Sequence, residues 1–175
     1  MSQTSDHLLD QAVRARREGR LVDAHRDLVE AVALCRESGS PRDLVHALKA
    51  LGQIERDLKK GDAARELYEE AVALCRELDD PLLLAHTVRH LGDVHQDAGR
   101  TDLAELCYLE ALALYRAEEH TAPLDLANAI RPLAILLNDT GRESEARELW
   151  EEARGLYQAV GVQAGVEECS DRLAQ

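Results

Sequence analysis

The chain has 175 residues, and its 34 Asp and Glu outnumber its 21 Lys and Arg, which gives a formal net charge of −13. Such a surface repels phosphate backbones and anionic lipid, which argues against nucleic-acid binding or membrane adsorption through bulk charge. No apolar run reaches the roughly 18 residues of a membrane span, and residues 1–6 lack the basic and apolar regions of a secretory signal. We therefore expect a cytoplasmic protein.

One eight-residue stretch recurs along the chain. Residues 30–37 read EAVALCRE, residues 70–77 repeat them letter for letter, and degenerate copies follow at 110–115 and 152–157. Self-similarity at a period of about 40 residues indicates a repeat array, in which each unit buries its apolar face against a neighbour. We predict a single domain over residues 1–175, with units at about 5–40, 41–80, 81–122 and 123–160 and a cap at 162–175.

Each unit is predicted to consist of two helices joined by a short turn. Pro41, Pro81 and Pro123 mark helix starts, because the N–H that proline lacks is unpaired in a first turn anyway. Glycine-containing pairs at 19–20, 60–61, 99–100 and 141–142 are expected to end the first helices, with glycine in a left-handed conformation. Pro132 lies inside the first helix of the fourth unit and predicts a kink there.

The two helices of each unit carry small and bulky residues in register. Small residues recur in the middle of the first helix and early in the second, where close helix contact is expected, and bulky residues fill the next layer. The small positions of the third unit are Gly92 and Ala104, and we expect Gly92 to lie in close helix contact with Ala104 and its neighbours. The bulky residues are Leu28, Tyr68, Tyr108 and Trp150.

This pattern, repeated four times between residue 5 and about 160, resembles the tetratricopeptide repeat family. The resemblance implies an all-α fold, a right-handed α-solenoid of about four helix pairs with a C-terminal capping helix, in a stand-alone protein of bacterial type. Similar long units occur in kinesin-light-chain-like adaptors and in sensor portions of bacterial transcription regulators. The family's usual unit has about 34 residues and a closing proline. Here the second helices are predicted to run on for about a turn and a half past the corresponding residues, Arg36, Arg76, Arg116 and Gln158.

A final helix is predicted after Gly161. Its apolar residues Val166, Cys169 and Leu173 follow the i, i+3, i+7 spacing of one helix face. We expect this face to cover the last unit. The charged residues on the other side are expected to face solvent: Glu167, Glu168, Asp171 and Arg172.

A polar stripe recurs on the first helix of each unit, on the face that such an array presents to a shared groove. Basic residues occupy one row across the units and acidic residues another, so the stripe suits an extended peptide with an acidic side chain or a C-terminal carboxylate. The basic row is Lys49, Arg89 and Arg131, and the acidic row is Asp57, Asp97 and Asp139. The predicted peptide-binding groove comprises His46, Lys49, Gln53, Arg56, His86, Arg89, His90, Asp93, Asp97, Asn128, Arg131 and Asn138.

We therefore predict a non-catalytic scaffold or adaptor that binds a peptide segment of another protein. A regulatory module that senses a small ligand or peptide is the alternative within the same architecture. A plainer interpretation is that these charges are solvated and neutralise each other, at about 0–1 kcal/mol per exposed pair. The two-carboxylate clamp of some family members is disfavoured, because only Lys49 matches its five positions. The partner's identity and the oligomeric state do not follow from the sequence.

Other chemistries have weak signals. His86 and His90 lie four residues apart with Asp93 nearby, a spacing that suits zinc, but a histidine-rich peptide groove explains the same residues, so no metal or cofactor is predicted. Nucleotide-binding and hydrolase motifs are absent, so no enzyme is predicted. The four cysteines show no CxxC pairing and fall at apolar helical positions, which favours reduced core thiols.

Overall fold

The computed structural model describes residues 3–175, apart from the side chains of residues 3, 4 and 38. Over that range the regular structure is nine α-helices and no strand, and no helix is both long and apolar enough to cross a membrane. The helices form two compact units, divided between Asp80 and Pro81. Their bounds are α1 Gln3–Arg17, α2 Leu21–Ser38, α3 Pro41–Asp57, α4 Gly61–Glu77, α5 Pro81–Asp97, α6 Thr101–Ala117, α7 Pro123–Asp139, α8 Glu143–Ala159 and α9 Gln163–Leu173.

The first unit contains α1 to α4, and each helix packs against the next along the chain. The predicted start at Pro41 is confirmed: Ser40 is the N-cap of α3, and its Oγ accepts a hydrogen bond from the Asp43 N–H at 3.4 Å. The turn between α3 and α4 differs from the prediction. Lys59, with φ of 63°, adopts the left-handed conformation, and Gly61 begins α4 instead of ending α3.

The second unit contains α5 to α9, again with sequential helices packed together. Its helices α5 and α7 begin at Pro81 and Pro123, as predicted. The helix α7 continues through Pro132 to Asp139, so this proline does not divide it in two. The second helices of the repeats are shorter than predicted, because they end only one or two residues beyond the positions where the family has its proline, at Ser38, Glu77, Ala117 and Ala159.

Glycine in the first helix of a pair allows a tyrosine of the second helix to approach its backbone. A Cβ atom on Gly92 would lie 2.6 Å from Cε1 of Tyr108, which is buried. Gly52 has the same relation to Tyr68, at 2.9 Å from Cε2. The predicted small-residue position is thus confirmed. The bulky tyrosine ring fills the space that the missing side chain leaves.

The helix α9 caps the second unit, as predicted. Cys169 is fully buried in a core with Trp150 and Tyr157, and Val166 and Leu173 pack against it. The charged residues of α9 do not all face solvent, however. Glu168 is half-buried in an ion pair with Arg131, and Arg172 lies over the ring of Trp150, with 5.9 Å from its Cζ to the ring centroid.

Within residues 3–175, the four cysteines form no disulfide bond. Cys35, Cys75 and Cys169 are buried and Cys107 is partly buried. The expected place of the cysteines at apolar helical positions is therefore confirmed for Cys35, Cys75 and Cys169, and Cys107 lies at the edge of the packed interior.

Candidate peptide-binding face

In the first unit, the polar stripe of α3 ends in an acidic residue that other side chains hold in place. Asp57 accepts hydrogen bonds from Arg16 Nε at 2.6 Å and from Gln53 Nε2 at 3.0 Å. Burial alone would raise the pKa of the Asp57 carboxyl, but these two donors outweigh it and hold the pKa below its ordinary value. Of the other predicted residues, His46 is exposed, while Lys49 and Arg56 are partly buried.

In the second unit, the polar stripe of α5 forms a chain of hydrogen bonds. Arg89 Nη2 lies 2.8 Å from His90 Nε2, and His90 Nδ1 lies 3.1 Å from Asp93 Oδ2. A guanidinium only donates, so His90 Nε2 accepts from Arg89, and His90 donates from Nδ1–H to Asp93. Tyr108 adds a third bond, from its hydroxyl to Asp93 Oδ1 at 3.1 Å. This chain fixes the orientation of both Arg89 and His90.

Arg89 also lies beside a tyrosine of α6. Burial raises the pKa of the Tyr115 hydroxyl to about 12, and the charge of Arg89 and its hydrogen bond to Tyr115 act in the opposite direction. The Arg89 side chain is only 16% exposed. Its cation is therefore held between α5 and α6, with few rotamers left to lose on binding a ligand.

The corresponding arginine of α7 already binds a carboxylate. Arg131 donates from Nε and Nη2 to the two oxygens of Glu168 in α9, at 2.7 and 2.8 Å. This bidentate pair holds the pKa of the Glu168 carboxyl below its ordinary value. One turn earlier, Asn128 Oδ1 accepts a hydrogen bond from the Tyr157 hydroxyl at 2.9 Å.

These groups of the second unit lie within electrostatic reach of one another. Burial raises the pKa of the Tyr157 hydroxyl, while the charges of Arg131 and Arg89 both lower it. Asp93 in turn raises the pKa of Arg131, although less than the hydrogen bonds from Arg131 to Glu168 do. The second unit therefore gathers Arg89, His90, Asp93, Asn128 and Arg131 on one polar face.

Two further predicted residues of the second unit are Asp97 and Asn138. Asp97 is exposed near the end of α5. Asn138 lines a cavity of about 510 Å³ together with Trp150 and Arg172, and neither Arg89 nor Arg131 lines that cavity.

Sequence reasoning missed the tyrosines and the glutamate of this face. Tyr115 and Tyr157 occupy apolar stripes, which predict only core packing, and Glu168 was expected to face solvent. Their contacts join side chains from different helices, and helix periodicity carries no information on which hydroxyl meets which amide. A polar group at one end of a buried aromatic residue is the only signal in the sequence.

The zinc hypothesis gains no support from the geometry. The rings of His86 and His90 are 4.6 Å apart between centroids and tilted by 57°. Across residues 3–175, no group of three His, Cys, Asp or Glu side chains is arranged to hold a metal ion. Nε2 of His90 accepts the hydrogen bond from Arg89, so the lone pair of this nitrogen is not available to a metal ion.

Comparison with known proteins supports the resemblance. Residues 43–117 match the family model described as tetratricopeptide repeat. No curated protein matches the chain.

Solved structures show the same fold at low sequence identity. BtubC (BKLC) from P. vanneervenii has a TM-score of 0.80 and 21% identity, and the match covers 90% of this chain and 64% of that one. A putative kinesin light chain from Podosopora anserina, described as having nearly identical TPR-like repeats, has a TM-score of 0.73 and 19% identity, with coverage of 99% and 96%. The predicted fold class, an all-α solenoid of tetratricopeptide-like helix pairs, is confirmed.

Proposed function

We propose that this tetratricopeptide repeat chain is a non-catalytic interaction module, a scaffold or adaptor that binds a peptide segment of another protein. The tetratricopeptide repeat fold is commonly a protein–protein interaction module. The binding face is the polar side of the first helices, and its strongest part in the second unit is formed by Arg89, His90, Asn128 and Arg131.

One observation carries this proposal: the bidentate bond between Arg131 and Glu168. It supports the proposal because Arg131 holds Glu168 of this chain at the distances of charge-assisted hydrogen bonds, and a peptide carboxylate that displaces Glu168 can form the same two bonds. Nearby, the hydrogen-bond chain of His90 and Asp93 orients Arg89 in advance. Two fixed arginines on neighbouring helices favour a peptide with an acidic side chain or a C-terminal carboxylate.

The test is a selection followed by titration. A display library of peptides with free C termini is selected against the chain, and the enriched peptides are titrated into the wild type, Arg89→Gln and Arg131→Gln. A hydrogen bond to a charged group contributes about 1.5–3 kcal/mol, so each variant is expected to bind about tenfold or more weakly. Binding should also weaken as salt is raised, because partly exposed charges are screened.

Arg116→Gln is the matched control. Arg116 also pairs with a glutamate, Glu152, at 2.5 Å, but it lies on the second helices α6 and α8. Its loss should leave the peptide affinity unchanged. A library without enriched peptides, or enriched peptides that bind both groove variants as tightly as the wild type, would refute the proposal.

A second candidate is a sensor of small ligands, and the cavity beside Trp150 favours it. Its volume of about 510 Å³ lies within the usual range of ligand pockets, roughly 300–1,000 Å³. The indole Nε1–H of Trp150 is buried and has no hydrogen-bond partner among the residues that the structure describes. Trp150 is the only tryptophan of the chain, so a metabolite screen read by its fluorescence and by melting temperature distinguishes the two candidates.

A further inference from the structure

Three leucines of α6 point outward. Leu103, Leu106 and Leu109 are 46%, 64% and 47% exposed. A spacing of three residues keeps them on one side of the helix, where they form a row about 9 Å long at 1.5 Å per residue. We call Leu103, Leu106 and Leu109 the leucine row.

The other repeats place different residues at these positions. The corresponding residues of α4 are Ala63, Glu66 and Glu69, and those of α8 are Glu145, Glu148 and Glu151. The buried residue early in each of these helices, by contrast, is alanine in all three: Ala64, Ala104 and Ala146. Helix packing in the repeat therefore does not require the leucine row.

Acidic side chains of α8 form a border next to α6, the helix that carries the leucine row. Two ion pairs connect α6 with this region: Arg142, the residue before α8, pairs with Glu105, and Arg116 pairs with Glu152 of α8. Glu148 lies three residues after Glu145 and four before Glu152, so it shares their side of α8. Glu148 is exposed and forms no ion pair within residues 3–175, which leaves its negative charge uncompensated.

We propose that the leucine row is a docking site for an amphipathic helix of another protein, with basic side chains beside its apolar face. The leucines recur at helical spacing, so a helix with apolar residues at i, i+3 and i+4 or i+7 fits over them, ridge into groove. The partner's lysines or arginines then lie against Glu148. This surface belongs to the second helix of its repeat and goes beyond the peptide-binding face of the first helices.

Charge argues against a second copy of this chain as the occupant. The chain carries a net charge of −13, and a symmetric dimer through the leucine row brings the acidic border of one chain towards that of the other. Like charges brought together across an interface oppose association, whereas a basic helix gains from the same border.

The test uses synthetic helices as probes. An 18-residue amphipathic helix of leucine and lysine, and its counterpart with glutamate in place of lysine, are titrated by fluorescence anisotropy into the whole chain. The lysine helix is expected to bind, and the glutamate helix is expected to bind at least about tenfold more weakly, because like charges then face each other.

Leu106→Gln should weaken binding of the lysine helix about tenfold, because it removes most of one buried leucine contact. Glu148→Gln should weaken it about two- to fivefold and reduce the salt dependence.

Val22→Gln is the control, since Val22 is 76% exposed on α2 and its loss should leave binding unchanged. Circular dichroism melts identify any variant that fails to fold, and Leu109→Gln then replaces Leu106→Gln. Equal affinity of the wild type and the leucine variants for the lysine helix would overturn the proposal, as would equally tight binding of the glutamate helix. A dimer in sedimentation velocity that Leu106→Gln dissociates would also overturn it, because the occupant would then be a second copy.

Discussion

The helices α4 and α6 occupy the same place in successive repeats, and they agree on one side and differ on the other. Inward, both carry an alanine and a tyrosine, and each tyrosine packs against a glycine of the preceding helix, Tyr68 on Gly52 and Tyr108 on Gly92. Outward, Glu66 in α4 is replaced by Leu106 in α6. Close packing fixes the inward residues, because a change of one methyl group is felt there, whereas outward residues are free to follow binding partners.

The largest expected effect comes from the same substitution on the two sides of α6. Leu112 is 4% exposed in the core of the second unit, and Leu106 is 64% exposed. Leu112→Ala should lower the free energy of unfolding by about 2–5 kcal/mol, through lost burial and a cavity. Leu106→Ala should change it by less than about 0.5 kcal/mol. Urea denaturation measures both, and equal losses would show that the assignment of inward and outward faces is wrong.

The next effect concerns the contact between glycine and tyrosine. Gly92→Ala should cost about 1–3 kcal/mol, because the new methyl group overlaps the buried Tyr108 ring. Gly155→Ala in α8 is the matched control: no atom lies within 4 Å of its new Cβ, so alanine should stabilise the helix by about 0.5–1 kcal/mol. In thermal denaturation, the melting temperature should therefore fall for Gly92→Ala and rise for Gly155→Ala, relative to the wild type. A stabilised Gly92→Ala variant would contradict the close approach.

A smaller effect is expected for the carboxylate that Arg131 binds. The folded-state pKa of Glu168 lies below its ordinary value in the unfolded chain, so the contribution of the pair to stability is fully present above that ordinary value and is lost as pH falls through the folded-state pKa. Glu168→Gln should cost about 0.5–1 kcal/mol at pH 7 and almost nothing at low pH. Denaturation at several pH values measures the difference, and a cost that stays constant with pH would exclude the ion pair as its cause.

The smallest effect transfers the outward residue from one repeat to the other. Glu66→Leu in α4 gives this helix the residue that α6 carries at the corresponding position. Because Glu66 is exposed, the free energy of unfolding should change by less than about 0.5 kcal/mol. Chemical denaturation checks this, and a loss above about 1 kcal/mol would show that the outward face of α4 contributes to the fold.

Sequence periodicity predicted most of the fold because packing depends on residue type at fixed spacing. Prolines 41, 81 and 123 each begin a helix, since their effect is local. The left-handed residue in the turn between α3 and α4 was predicted wrongly. Glycine adopts positive φ readily, which pointed to Gly61, but the residue with positive φ is Lys59, and this conformation is uncommon for lysine. The contact of Gly92 with Tyr108 depends on how the ring enters the space, which the spacing alone does not define.

The candidate site was predicted in part, for a similar reason. Arg89, His90 and Asp93 lie within one turn of α5, so their shared face followed from the sequence. The pair of Arg131 with Glu168 joins two helices and depends on where α9 packs. Tyr157 shows the same limit: its place in an apolar stripe predicted burial, but its hydroxyl bond to Asn128 is a tertiary contact.

Amide hydrogen exchange of the whole chain, with and without a peptide selected from the display library, tests directly whether the peptide binds the polar face of the first helices. We expect slower exchange in α5 and α7, around residues 86–93 and 128–131, and unchanged exchange around residues 103–109 of α6. Slower exchange confined to α6, with α5 and α7 unchanged, would contradict it, because the peptide would then bind the outward face and not the polar face of the first helices.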